Sequence, residues 1–211
     1  MKILVIGANG RVGQKLIENL SNKNHEIIAG SRHPEQLVEV KNVTTIQFDL
    51  HDSVEALSQK LQDIDVIYYV AGSRGKDLLQ TDSFGAVKSM IVAEKLGISR
   101  FIMLSSSYSL EPEKWQSPEM ASLLDYNIAK FFADNYLINQ TQLNYTILQA
   151  TALIDVPATG RISINQESKS QNSIGNVALT LADVINHDST SKTIFRMSDG
   201  NTPIDDALSS L

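Results

Sequence analysis

The sequence predicts a single α/β domain in which a doubly wound parallel sheet carries helices on both faces. The chain has 211 residues, which suits one domain at roughly 100–200 residues per domain. Short, near-continuous apolar runs alternate with longer amphipathic stretches, as in strands that are buried on both faces and joined by helices. This order implies parallel strands with right-handed crossovers. The predicted strands are Ile3–Ile6, Glu26–Ala29, Thr44–Phe48, Val66–Val70, Phe101–Leu104 and Tyr145–Leu148.

The amphipathic stretches between these strands predict the helices. Gly97 stands where a left-handed helix cap is expected, and Asp125 stands where an N-cap would precede Tyr126. The region 151–172 is rich in Ser, Thr, Gln and Asn and predicts a long loop with a short strand near Arg161–Ile164. The predicted helices are Arg11–Leu20, Pro34–Val40, Ser53–Leu61, Asp82–Leu96 and Tyr126–Asn139, followed by a helix near Ile174–Val184, a strand near Thr193–Met197 and a helical turn after Pro203.

Composition excludes several classes of function. The chain carries 18 basic and 24 acidic residues, a net charge of −6, which argues against non-specific binding to nucleic acid or to an anionic membrane. It contains no cysteine, which excludes disulfides, thiolate nucleophiles and cysteine zinc sites. No apolar run approaches the roughly 20 residues that span a bilayer, and the N-terminal run is too short for a signal peptide. The four histidines also lack metal-ligand spacing, so we expect no metal site. The absence of cysteines and of long apolar segments together predicts a soluble cytoplasmic protein.

A glycine-rich turn directly follows the first predicted strand and opens the first helix. It reads Gly7-Ala8-Asn9-Gly10-Arg11-Val12-Gly13, a G-x-x-G-x-x-G spacing. Glycines here allow a tight turn, let the backbone approach a pyrophosphate and let the helix pack close to the strand. The helix N-terminus offers N–H groups and the positive end of its dipole to phosphates. The position of the motif predicts a dinucleotide-binding turn, and the alternative is a glycine-rich turn that binds nothing.

The end of the second strand selects the form of the dinucleotide. It reads Ala29-Gly30-Ser31-Arg32, without the Asp or Glu that NAD-binding folds usually place there. Arg32 can form a charge-assisted fork on a 2′-phosphate, with Ser31 donating beside it. These residues predict NADP(H) as the preferred cofactor, with NAD(H) as the alternative. The other interpretation of Arg32 is a solvated surface arginine.

Two further strand ends are expected near the cofactor. Asp49, followed by Leu50, ends the third strand. There it is placed to reach the adenine edge, or it is a simple turn residue. Ala71 and Gly72 close the fourth strand, so their backbone can run beside the cofactor.

A tyrosine, a lysine and a serine triplet form the predicted catalytic group. Tyr126 and Lys130 are four residues apart, so on a helix they share a face and can meet one ligand. A free tyrosine has a pKa of about 10, and a neighbouring cation lowers that pKa; the lysine can also hold the nicotinamide ribose. Ser105-Ser106-Ser107 ends the fifth strand, where ligands of open α/β sheets bind. The alternatives are an exposed helical pair and serines that only form a turn or a cap.

With these motifs in this order, the sequence resembles the short-chain dehydrogenase/reductase superfamily, and most closely its small atypical NAD(P)H-binding, sugar epimerase-like reductases. The resemblance implies one Rossmann-type domain over residues 1–211, with a small substrate-side region formed by 108–124 and 151–172. It implies Tyr126 as the acid/base and Lys130 as the residue that orients the ribose and tunes Tyr126. Ser107 matches the catalytic serine best, and Ser106 is the alternative. The segments that carry the resemblance are 7–13, 31–32, 101–107, 126–130, 143–148 and 198–204.

The chain departs from the family pattern at two strand ends. Val70-Ala71-Gly72 stands where the common enzymes have Asn-Ala-Gly, and Gln149-Ala150-Thr151 replaces Arg-Pro-Gly near the nicotinamide end. Trp115 lies in the loop between the serines and Tyr126. That loop is either a lid over a moderately apolar pocket or a packed loop anchored by the tryptophan.

The leading hypothesis is an NADP(H)-dependent oxidoreductase that reduces a carbonyl or similar group on a small-molecule substrate. Tyr126 would supply the proton and Ser107 would position the oxygen. One alternative is a sugar-nucleotide epimerase or dehydratase that retains NAD, although the C-terminal part is too short for the substrate domain of such enzymes. The other is a non-catalytic NADP(H)-sensing protein. A monomer and a homodimer are both consistent with the sequence.

Overall fold

The computed structural model describes residues 1–37, 40–118, 120–166 and 171–211. Within these residues, nine strands form one sheet in the order β11-β8-β10-β6-β5-β4-β1-β2-β3, and β7 and β9 pair separately. The strands are β1 (Lys2–Ile6), β2 (Glu26–Ser31), β3 (Val43–Gln47), β4 (Val66–Tyr69), β5 (Arg100–Ser106), β6 (Asn144–Ala150), β7 (Leu153–Ile154), β8 (Arg161–Ile164), β9 (Asn172–Ser173), β10 (Thr193–Asp199) and β11 (Thr202–Pro203).

Helices cover both faces of this sheet, as predicted. Along β1, the side chains of Ile3 and Val5 belong to one apolar core, and those of Leu4 and Ile6 belong to the other. This alternation follows from the period of two along a strand. The helices are α1 (Arg11–Asn22), α2 (Val54–Ser58), α3 (Phe84–Lys95), α4 (Leu124–Gln140), α5 (Ile174–Val184) and α6 (Ile204–Ser209). Helices α1, α5 and α6 pack on the first core, and α2, α3 and α4 pack on the second.

The two ends of the sheet differ from the prediction of parallel strands buried on both faces. At one end, β3 is an edge strand on which Thr44, Thr45 and Gln47 are exposed, because no further strand covers it. At the other end, β8 runs antiparallel to both β10 and β11. The sheet is therefore mixed, and its parallel part extends from β3 to β10.

Several predicted helix bounds are corrected by the structure. The segment 34–40 forms only a 3₁₀ turn, Pro34–Gln36, and Val38 and Glu39 lie outside the described residues. A π-helical turn, Leu78–Ser83, precedes α3, so the helix predicted to begin at Asp82 begins at Phe84. Asp125 is not the N-cap of α4, because a 3₁₀ turn over 121–123 runs directly into the helix and places Asp125 in its first turn.

The left-handed cap predicted at Gly97 is confirmed. Gly97 has φ +70°, and its N–H donates to the Glu94 carbonyl at 3.1 Å. The next N–H, from Ile98, reaches back to the Ala93 carbonyl at 2.9 Å. This pair of bonds satisfies the last carbonyls of α3 in a Schellman arrangement.

The turn after β1 presses against the end of β4. Gly7 has φ +94°, and a Cβ there would lie 2.5 Å from the Ala71 nitrogen. In the first turn of α1, a Cβ on Gly13 would lie 2.3 Å from the Gly7 carbonyl oxygen. Two of the motif glycines therefore bring three backbone segments into direct contact.

Gly7→Ala and Gly97→Ala form a matched pair that separates strain from close approach. Both glycines have positive φ, but a Cβ on Gly97 meets nothing within 4 Å. We expect Gly97→Ala to lower the free energy of unfolding by about 1 kcal/mol. Gly7→Ala should lower it by roughly 3 kcal/mol or more, because overpacking adds to the strain. Urea denaturation measures both, and equal losses would contradict the close approach.

Candidate active site

A single cleft of about 1660 Å³ opens at the carboxyl ends of the central parallel strands. This is the edge at which open α/β sheets bind ligands. Almost all of the residues predicted for the site line it, and Gly13 and Asp49 do not. The predicted residues that line the cleft are Gly7, Asn9, Gly10, Arg11, Val12, Ser31, Arg32, Leu50, Ala71, Gly72, Ser107, Tyr126 and Lys130.

The glycine turn forms one wall of the cleft. The N–H groups of Gly7 and Ala8 both donate to the Gly30 carbonyl at 3.2 Å, and Asn9 Nδ2 donates to the His33 carbonyl at 2.8 Å. Asn9 Oδ1 is buried without a hydrogen-bond partner among the described residues. No side chain caps α1 after Gly10, so the N–H groups of its first turn remain available to an anion. The turn therefore fits a dinucleotide pyrophosphate.

The end of β2 adds a hydroxyl and a guanidinium to the same wall. Ser31 is buried, and its Oγ accepts the N–H of His33 at 3.0 Å. Arg32 is exposed at the cleft, and within the described part of the chain it makes no hydrogen bond or ion pair. Its five donors can therefore turn to a ligand.

Asp49 lies beside the cleft and is held by His51. Its Oδ1 accepts the backbone N–H of His51 at 3.0 Å and lies 3.0 Å from His51 Nδ1. Partial burial would raise the pKa of Asp49, but the hydrogen bonds and charge of His51, together with the charge of Arg32, outweigh it and lower that pKa. His51 Nε2 also lies 3.1 Å from Asp77 Oδ2. These contacts favour the interpretation of Asp49 as a turn residue.

The three serines after β5 have different partners. Ser105 Oγ donates to Asp134 Oδ2 at 2.7 Å, and Ser106 Oγ donates to Asn127 Oδ1 at 2.8 Å. All three serines line the cleft, but the Oγ of Ser107 has no partner among the described residues. Its backbone N–H donates to the Ala150 carbonyl at 2.9 Å, which fixes the turn. The geometry thus distinguishes Ser107 from the other two.

Tyr126 and Lys130 lie one helical turn apart on α4, and both line the cleft. Lys130 is only 1% exposed. Its Nζ donates to the Leu104 carbonyl at 3.2 Å and lies 5.8 Å from the centre of the Tyr126 ring. The sequence predicts that the lysine lowers the pKa of Tyr126, but burial raises that pKa more than Lys130 lowers it. The net direction is therefore upward.

Four polar residues around this group were missed by the sequence reasoning. Asp134 follows Lys130 by one helical turn, so its place on the same stripe of α4 was a usable signal. The other three give no such signal, because each is brought to the site by a different loop or helix start. They are Asp82, Ser109 and Asn127, and all of them are fully buried.

The loop between the serines and α4 is a packed loop. Trp115 is 7% exposed, its Nε1 donates to the Tyr108 carbonyl at 2.8 Å, and its ring meets Phe131 edge-on at 5.8 Å. Trp115 therefore anchors the loop rather than covering the pocket. Residues on either side of it still border the cleft; Glu119 in this loop and 167–170 on the substrate side lie outside the described residues.

No helix in the described ranges is long and apolar enough to cross a membrane. Among the same residues, no group of three or more His, Asp or Glu side chains could hold a metal ion.

Comparisons with known proteins agree with this geometry. The model of a family described as NAD(P)H-binding matches residues 7–188. The oxidoreductase ylbE of Lactococcus lactis is 44% identical, with a TM-score of 0.97 over 100% of this chain and 96% of that one. A structure from Bacillus halodurans, named as a candidate NAD-dependent epimerase/dehydratase, is 30% identical with a TM-score of 0.89 and full coverage of both chains.

A curated relative covers the same span. The uncharacterized sugar epimerase YhfK of Bacillus subtilis (strain 168) is 32% identical over the whole of both chains. Together with the family match and the Rossmann-like sheet, these comparisons establish the family. The chain belongs to the NAD(P)H-binding family, and its Rossmann-type fold is consistent with the resemblance to atypical short-chain dehydrogenases/reductases.

Proposed function

We propose that this protein is an NADP(H)-dependent reductase of a carbonyl or similar group on a small molecule. One observation carries the proposal. Tyr126, Lys130 and the unpartnered hydroxyl of Ser107 line the same cleft as the glycine turn. A proton donor, a cation and an oxygen-binding hydroxyl therefore border the space that the dinucleotide fits.

The proton moves from Tyr126. Because burial raises its pKa, the phenol is protonated at neutral pH and can donate to the oxygen of the substrate. The Ser107 hydroxyl holds that oxygen, and the Lys130 ammonium stabilises the phenolate left behind. The phenolate then recovers its proton from water. When bound, the reduced nicotinamide supplies the hydride that the substrate carbon accepts.

The cofactor is held at three places in the cleft. The first turn of α1 takes the pyrophosphate, because its N–H groups have no capping side chain. Arg32 takes the 2′-phosphate, since no described residue occupies its guanidinium. The Lys130 ammonium, which donates one bond to Leu104, has two more donors for the nicotinamide ribose.

Arg32→Ala tests the choice of cofactor. We expect the wild-type protein to bind NADPH roughly 10–100-fold more tightly than NADH, because hydrogen bonds to charged groups contribute about 1.5–3 kcal/mol. The variant should lose most of this ratio. Titration with NADPH, NADP, NADH and NAD, read by nicotinamide fluorescence and thermal shift, measures it.

The exposed Lys15 on α1 supplies the control for that titration. Lys15→Ala changes the net charge equally and should leave the ratio unchanged. A wild-type protein that binds none of the four dinucleotides would contradict the proposal. Tightly retained NAD in the purified protein would instead favour the epimerase or dehydratase alternative.

Tyr126→Phe tests the proton donor. Loss of the phenolic proton should lower kcat by roughly 10²–10⁴-fold with little change in NADPH binding, as for other general acids. Single-turnover oxidation of bound NADPH with a panel of aldehydes and ketones measures this. Full turnover by a variant that binds NADPH normally would remove Tyr126 from the mechanism.

Ser107→Ala and Ser106→Ala form a matched pair for the oxygen-binding role. Ser106 already donates to Asn127, so its loss should mainly affect stability. Ser107→Ala should lower kcat by about 10–1000-fold, the range for removing a hydrogen bond that is made in the transition state. Comparing kcat and Tm of the two variants decides between them, and a larger kcat loss for Ser106→Ala would reverse the assignment.

A further inference from the structure

Helix α4 carries a third polar residue on the stripe that holds Tyr126 and Lys130. Asp134 follows Lys130 by four residues, so the three side chains share one face. Tyr126 and Lys130 line the cleft, whereas Asp134 lies one turn deeper and does not. It is 0% exposed. Asp134 therefore cannot contact a ligand directly and can act only through its neighbours.

Its hydrogen bonds hold both ends of the turn that carries Ser107. Asp134 Oδ2 accepts the hydroxyls of Ser105 at 2.7 Å and of Ser109 at 2.5 Å. Gln149 Nε2, from β6, donates to Ser109 Oγ at 2.9 Å. The carboxylate thus ties residues on both sides of Ser107 to α4 and, through Ser109, to the neighbouring strand.

A neutral side chain could make these hydrogen bonds at a lower cost. Asp134 Oδ1 is buried and has no partner in the described part of the chain. Burial raises the pKa of Asp134 to about 6, although the two serines and the charge of Lys130 lower it. Ionisation of this group at neutral pH is therefore unfavourable for folding, which points to a role for the charge itself.

The charge acts on the proton donor. On α4 itself, the charge of Lys130 lowers the pKa of Asp134, and the negative charge of Asp134 adds to burial in raising the pKa of Tyr126. Two groups from other elements surround the same lysine and tyrosine. The ring centre of Tyr69, from β4, lies 5.9 Å from Lys130 Nζ. The charge of Asp82, from the turn before α3, also raises the pKa of Tyr126.

We propose that ionised Asp134 is a positioning residue of the active site. Its carboxylate holds the turn that carries Ser107 through Ser105 and Ser109, and its charge adds to the effect of burial in holding the Tyr126 phenol in the proton-donating form. This inference rests on the proposed reductase function.

Two limits on activity follow from this arrangement. As the pH falls through about 6, Asp134 takes up its proton, its bonds to the two serines weaken and kcat falls. As the pH rises, the negative charge of Asp134 delays ionisation of Tyr126. The site therefore keeps its reductase form to a higher pH than it would without this charge.

Protonation of Asp134 has opposite effects on kcat and on the stability of the fold. Asp134 binds its proton more tightly in the folded chain than in the unfolded one, where its pKa is about 3.9. Lowering the pH through 6 towards 4 therefore favours the folded state at this site, and the charge destabilises the fold above pH 6. Removing the charge should raise Tm at pH 8, and the gain should vanish near pH 4.

Asp134→Asn tests the proposal, because asparagine has the same shape and can still accept the two serine hydroxyls. We expect a gain in Tm at pH 8, unchanged NADPH binding and a kcat lower by about tenfold, because the two serine hydrogen bonds remain but are no longer charge-assisted. The acid limb of the kcat profile near pH 6 should disappear, and the alkaline limb should move to lower pH. Ser109→Ala should lower kcat but keep both limbs, because the charge remains.

A readout without turnover separates this inference from the function on which it rests. In protein labelled with 3-fluorotyrosine, the ¹⁹F resonance that Tyr126→Phe removes reports the ionisation of that phenol. Its midpoint should fall in Asp134→Asn. It should not move in Glu18→Gln, which changes the net charge equally at an exposed site on α1.

The outcomes separate a role of the Asp134 charge from a purely structural role and from the reductase function. An unchanged midpoint in Asp134→Asn, or an equal fall in Glu18→Gln, overturns the role of the charge. A fall in Tm at pH 8 together with loss of NADPH binding shows a purely structural carboxylate and also overturns the proposal. A shifted midpoint in a protein that reduces no carbonyl supports the coupling of Asp134 to Tyr126 and rejects the reductase function.

Discussion

The contact between the turn after β1 and the end of β4 determines where everything else in this protein lies. A Cβ on Gly7 would meet the backbone of Ala71, and a Cβ on Gly13 would meet the Gly7 carbonyl. Because these segments touch without side chains between them, α1 begins directly at the edge of the sheet. Its open N-terminus then faces the same cleft as the ends of β4 and β5. The first turn of α1 and the serine turn are therefore neighbours as a result of backbone packing.

The chemistry of the cleft depends on one stripe of α4. Tyr126, Lys130 and Asp134 descend along it from the cleft into the core with increasing burial. In such surroundings, charge interactions are stronger than in water, and so is the cost of ionisation. In the proposed mechanism, the helix supplies both the proton donor and two charges that act on it, and it packs against β5 and β6.

Most of the fold could be predicted from the sequence. The central parallel strands are continuous apolar runs, and glycine favours the left-handed conformation that ends α3 at Gly97. The errors occur where tertiary contacts override local pattern. The apolar run of β3 predicts a buried strand, but the sheet ends there. The 3₁₀ turn before α4 displaced the cap predicted at Asp125. At the site, the helical spacing of Tyr126 and Lys130 correctly predicted that both line the cleft. The hydrogen-bond partners of Ser105 and Ser106 come from α4, which is distant in sequence, so the serine motif alone could not predict them.

The packed loop that borders the substrate side has an optical consequence. Trp115 is the one tryptophan of the chain, and it is buried with its indole N–H bonded to the Tyr108 carbonyl. The tryptophan emission of this protein therefore comes from a single indole beside the cleft. Reduced nicotinamide absorbs in the range where tryptophan emits, so a dinucleotide bound across the sheet edge would quench this emission by energy transfer. The molecule thus carries its own reporter of cofactor occupancy, without any label.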